Sequence, residues 1–145
     1  MAITTNAICN SFKKELLEAT HNFKNPGGNT FKLAMYTNSA ALGKSTTSFT
    51  TGGQVTSPSG YTSGGKALVK VGTSLATNTA ITDFADLSFV GVTLTARGAL
   101  IYNDTATGDP GVAVLDFGGD KTATAGTFTI QFPAFTTSAA ILRIA

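Results

Sequence analysis

The chain has 145 residues, of which only 12% are charged, and its ten Lys and Arg against eight Asp and Glu leave a formal charge of +2. That length suits one domain burying roughly two thirds of its unfolded surface, no apolar run approaches the ~18 residues of a membrane-spanning helix, and scattered basic residues argue against a nucleic-acid face. One cysteine excludes an internal disulfide, and one His beside one Cys is too few ligands for a zinc site, so no metal or other cofactor is expected.

The first element is a helix. Ile8, Phe12, Leu16, Ala19 and Phe23 recur at helical spacing and leave Lys13, Lys14, Glu15 and Glu18 largely off their stripe. This predicts an amphipathic helix over about residues 6–20, capped by Asn6 or Thr5 and ended by Asn25-Pro26-Gly27-Gly28. Thr30–Tyr36 follows as a half-buried strand, with Phe31, Leu33 and Met35 on one face. Residues 37–65 then turn to Ser, Thr, Gly and Asn, with isolated Leu42, Phe49, Val55 and Tyr61. A loop this long inside a compact domain is uncommon unless it touches something. Phe49, Val55 and Tyr61 are therefore the candidate partner-contact residues.

Lys66–Val71 resumes the sheet, and the polar stretch 72–79 leads to a second apolar run, Ala80–Phe89. Leu87 and Phe89 share one parity, whereas Val90, Val92, Leu94 and Ala96 share the other. A phase switch beside Gly91 predicts a β-bulge or a strand crossing between sheets. The spine of the chain is a central hairpin over about residues 90–117. Its arms, Val90–Tyr102 and Val112–Phe117, flank the turn-forming Asn103–Gly111. Residues 118–126 read as a polar connection, Thr127–Phe132 as an alternating strand closed by Pro133, and Ala139–Ile144 as the last strand. One helix against seven or eight strands predicts a mainly β protein. The expected architecture is a single β-sandwich or jelly-roll-like domain spanning 1–145, with one N-terminal amphipathic helix.

Reaction chemistry is hard to find. The paired glycines lack the Lys and Ser or Thr of a phosphate loop. His21, placed near a helix end, reads as solvated or as meeting the last carbonyls. Cys9 would lie ~18 Å from it along a continuous helix. Asp83 with Asp86, or Asp104 with Asp109, could serve as the acid and base of a sugar hydrolase, but the latter two fit turn chemistry already. No catalytic residue is expected. The opening residues carry neither the basic region nor the apolar core of a signal peptide, so the protein is expected to be made and to act without export.

Four stretches resemble small virion structural proteins of tailed bacteriophages: Ala2–Leu17, Phe31–Thr37, Gly60–Leu68 and Ala96–Asp104. The resemblance extends over essentially the whole chain. It implies a non-enzymatic virion component made in the host cytoplasm, first of all a capsid decoration (cement) protein that binds and reinforces the major capsid shell. A tail or fibre component contacting host-surface glycans is the alternative, and a cell-wall glycan hydrolase a remote one. The expected partners are the major capsid protein or other virion proteins, and copies of the chain itself, with a trimer as the expected arrangement because shells offer many local threefold points.

Overall fold

The computed structural model describes residues 3–56 and 60–145. Among these, two antiparallel sheets and one short helix make a β-sandwich-like fold, as the segment count implies. The larger sheet has the order β1 (Ala7–Ile8), β7 (Gly111–Ile130), β6 (Leu87–Asn103), β2 (Phe31–Tyr36) and β3 (Lys66–Ala67). The smaller one runs β4 (Lys70–Ala76), β5 (Thr79–Phe84) and β8 (Leu142–Ile144).

The central hairpin is present and longer than its apolar arms suggest. β6 and β7 pair antiparallel from Tyr102↔Gly111 beside the turn out to Leu87↔Ile130. Residues 118–126, expected to be a connection, are strand instead. Hydroxyl pairs hold this outer ribbon, with Thr95 and Thr122 Oγ atoms 2.8 Å apart and those of Ser88 and Thr129 2.9 Å apart. Such cross-strand contacts stabilise a sheet without apolar residues on the wet face. The phase switch is a bulge: the register slips between Phe89 and Val92, and Gly91 takes φ +66°, a backbone state glycine adopts without strain. The crossing between sheets lies just before it, at Ala85-Asp86, so the Ala80–Phe89 run is two strands rather than one.

β2 is buried on both faces apart from the half-exposed Lys32, not half-buried as its alternation suggests. One face meets the loop after it, and the other meets the helix side of the core. The 66–71 strand likewise divides, Lys66–Ala67 joining the large sheet and Lys70–Ala76 the small one. Only Leu68 of its apolar residues is buried; Val69 and Val71 face outward.

The helix α1 spans Asn10–Leu17, shorter than the expected 6–20. Ala7 and Ile8 are taken by pairing with Val114 and Ala113, and the Cys9 amide donates to the Val112 carbonyl. Cys9 thus occupies the cap position with no side-chain hydrogen bond, while Asn6 Oδ1 accepts from the Asp116 amide. At the other end the Ala19 amide donates to the Leu16 carbonyl and that of Thr20 to Glu15, the two bonds of a Schellman motif. Ala19 therefore sits at φ +60°, where a Cβ is unfavourable. Ala19→Gly should raise stability by about 0.5–1 kcal/mol, read as a higher urea midpoint at constant slope.

Beyond that turn the chain doubles back, and an aromatic column joins every layer. Phe23 stacks on Phe31 of β2 with ring centroids 4.3 Å apart and planes within 3°. Phe12 of α1 meets Phe23 edge-on at 6.0 Å, and Phe84 of β5 packs on Phe31 at 5.9 Å. Helix, large sheet and small sheet are fixed to one another by these four rings.

Candidate functional site

The long loop 37–65 does not present its large residues outward. Tyr61 is 3% and Val55 5% exposed, and Phe49 is half-buried with its ring 4.8 Å from that of Tyr102. Tyr61 Oη accepts from the Met35 amide at 2.9 Å and donates to Gln54 Oε1 at 2.9 Å. The hydroxyls of Tyr36 and Tyr102 donate to the Thr50 and Gly64 carbonyls. Three phenols from sheet and loop thus tie the segment down as a cover over one face of the sheet. This corrects the expectation that Phe49, Val55 and Tyr61 stand free to meet a partner: burying each against the chain's own core stabilises the monomer instead. Residues 57–59 of this loop lie outside the described residues.

The groups weighed for catalysis are placed apart. His21 is buried rather than solvated: its Nε2 lies 3.2 Å from Glu15 Oε1, and its Nδ1 lies 3.1 Å from Asn103 Nδ2. Asn103 Oδ1 accepts from the Thr105 and Ala106 amides, which orients its amide so that Nδ2 faces the histidine. His21 Nδ1 is then the acceptor and Nε2 the donor to Glu15. Cys9 is fully buried, and desolvation, with the Glu15 charge adding to it, pushes its thiol up to about 11, so it stays a neutral core residue. Asp104 pairs with Lys32 at 3.4 Å, and Asp109 sits at φ +49° in the hairpin turn. Among the described residues no three His, Cys, Asp or Glu side chains come together to hold a metal ion. No described helix is long and apolar enough to cross a membrane.

Asp83 and Asp86 do not share a cleft either. Asp86 Oδ1 accepts from the Phe132 amide, while Asp83 is 1% exposed with Oδ2 lacking any hydrogen-bond partner. Desolvation raises the Asp83 pKa above its ordinary 3.8, against the pull of the Phe84 and Ile141 amides and with a small push from Asp86. A carboxyl with a raised folded-state pKa holds its proton more tightly folded than unfolded. Its contribution is full below the unfolded value and is lost as pH rises through the folded one. Asp83→Asn should therefore be the more stable protein at neutral pH by about 1 kcal/mol, with the advantage shrinking toward about pH 4. Denaturation midpoints of both proteins across that range check it.

What remains is a surface feature. A groove of about 960 Å³ opens between α1 and the small sheet. Ile8, Phe12, Leu16 and Leu17 form one wall, and Phe23 closes its end. The other wall is a sheet face: Leu75 of β4, Ala80 of β5 and Ile144 of β8 stand directly opposite one another, so their side chains form one row across three strands. Ala80 and Ile144 line the groove, and Leu75 extends the row beyond it. Leu17 is 91%, Leu75 72% and Ile144 60% exposed. The rim carries Lys13 and Lys24.

Sequence reasoning missed this site. The helical stripe pointed to the Phe12 and Leu16 wall, but Leu75 was hidden inside a stretch read as polar connection. No sequence signal marked it: a bulge between Lys70 and Gly72 breaks the alternation that Val69 and Val71 begin, and Leu75 stands alone among small and polar residues. No protein-family model, curated protein or solved structure matches the chain.

Proposed function

We propose that this chain is a non-enzymatic structural protein of a tailed-bacteriophage virion, a capsid decoration protein that binds the major capsid shell as a homo-oligomer. The observation that carries the reading is the groove between α1 and the small sheet, with Leu17 and Ile144 exposed on its walls and Leu75 exposed beyond it. A contiguous apolar surface of this kind marks an interaction site on a soluble protein. The resemblance of the sequence to small virion proteins names the setting. The tied-down loop supports it too, since a cover locked by Tyr36, Tyr61 and Tyr102 gives a rigid body, and rigid partners lose less entropy on docking. Many copies on a repeating lattice would turn modest single contacts into durable binding.

Particles lacking the protein, mixed with purified chain, test the reading. They should take it up until the shell is saturated and then withstand a higher temperature before releasing DNA. Particles that neither bind the chain nor gain heat resistance would remove the decoration role.

A further inference from the structure

We infer that the groove between α1 and the small sheet takes a peptide segment of a partner protein that carries apolar side chains flanked by carboxylates. The inference rests on the docking role proposed above and specifies the chemistry of what docks. Its ground is the distribution of charge. Lys13 and Lys24 stand on the rim, and no Asp or Glu lines the groove. The acidic residues of the helix are engaged elsewhere: Glu18 pairs with Lys14 at 3.0 Å, and Glu15 meets the buried His21. Among the described residues neither Lys13 nor Lys24 has a carboxylate within ion-pairing distance, and both are exposed. Arg143 pairs with Ile81 rather than Ala80, so its side chain leaves the sheet on the face opposite Ile144, where it donates to the Thr137 carbonyl at 2.8 Å.

Two unpaired lysines beside an apolar floor make a local positive field on a chain whose formal charge is only +2. A segment with carboxylates beside its apolar anchors gains from both features at once, and complementary charge fixes register and speeds encounter. A basic segment meets the same floor but suffers repulsion at the rim. A second copy of this chain would have to bring its own carboxylates to the rim, whereas the row it presents, Leu75, Ala80 and Ile144, carries none.

The test uses the full chain, labelled with nitrogen-15, and two synthetic amphipathic peptides with the same Leu pattern, one with Glu and one with Lys on the polar face. The Glu peptide should shift the amide signals of Lys13, Ile81 and Ile144 and bind about tenfold more tightly than the Lys peptide. Added salt should narrow that difference. Lys13→Glu combined with Lys24→Glu, both exposed and hence harmless to the fold, should abolish the preference. Equal binding of the two peptides, signals that move elsewhere on the protein, or no movement at all would overturn the inference. So would a dimer in sedimentation that Leu75→Asp dissolves, since a second copy would then be the occupant. Particle uptake measured in parallel separates the two levels. A chain that coats particles yet ignores the Glu peptide refutes only the acidic segment, whereas a chain that never coats particles refutes the virion role whatever the peptide does.

Discussion

Phe31→Ala should cost about 3–5 kcal/mol, the range for emptying a fully buried aromatic site that cannot collapse. Phe31 is fully buried in the protein, at the start of β2. Its ring is the middle of the column, stacked on Phe23 at 4.3 Å and packed against Phe84 at 5.9 Å, with His21 6.2 Å away on the helix side. Removing it takes a shared wall from three elements at once. Relaxation is limited because β2 is paired along its length with β6. The measurement is urea denaturation of the isolated chain, and a loss below about 1 kcal/mol would show that the column does not join the layers. Phe12→Ala offers a comparison, since Phe12 both enters this column and lines the groove. It should lose less than Phe31→Ala, because part of the space it vacates opens to solvent.

Asn103→Ala should be nearly as damaging, at about 3 kcal/mol or more, although it removes no apolar surface. Asn103 is fully buried at the end of β6, opposite Phe31. Its Oδ1 accepts from the Thr105 and Ala106 amides, and its Nδ2 reaches His21 Nδ1 at 3.1 Å and Asn29 Oδ1 at 3.0 Å. The substitution strands several partners together, the bond to His21 buried and those to Asn29, Thr105 and Ala106 part-buried, an unmade bond costing about 1–3 kcal/mol where water cannot replace it. Asn103→Asp separates the two halves of the role. A carboxylate still accepts from Thr105 and Ala106 but cannot donate to His21 or Asn29. That variant should keep the hairpin turn and lose order in residues 20–30, seen as faster amide exchange confined to that segment. Uniform exchange across the chain would place the role of Asn103 in the turn alone. Since Phe23 at the groove end lies two residues after His21, the same variant should weaken whatever the groove binds.

The elements that were legible in the sequence are those whose burial is one-sided or complete. The central hairpin reads correctly because Leu100, Ile101, Val112 and Val114 are all inside and the turn between them is rich in Asn, Asp and Gly. The break beside Gly91 was legible only as one of two things, a bulge or a crossing between sheets, because a change of parity accompanies either; the register slip and the φ of +66° at Gly91 make it the bulge. Segments 72–76 and 118–126 were not legible as strands. Their Thr, Ser and Gly residues face water on a small sheet and on a two-stranded ribbon, so no apolar period marks them. The helix was overdrawn at both ends for a related reason. Ile8 and Phe23 keep the right spacing but reach the core from a strand and from a returning loop. The loop anchors failed differently. Isolated aromatics among small polar residues look alike whether they wait for a partner or cover their own sheet, and only the phenol hydrogen bonds of Tyr36, Tyr61 and Tyr102 decide between these. The groove depends on tertiary placement. Leu17 and Ile144 lie at opposite ends of the chain and come to line one groove only through the tertiary placement of α1 beside the small sheet.

The proposed decoration role is tested most directly by quantitative mass spectrometry of phage particles purified from cells in which this chain is expressed from its native gene. A decoration protein should be present at a copy number comparable to that of the major capsid protein and should remain with DNA-filled heads from which tails have been removed. A handful of copies per particle that leave with the tails, or none at all, would contradict it.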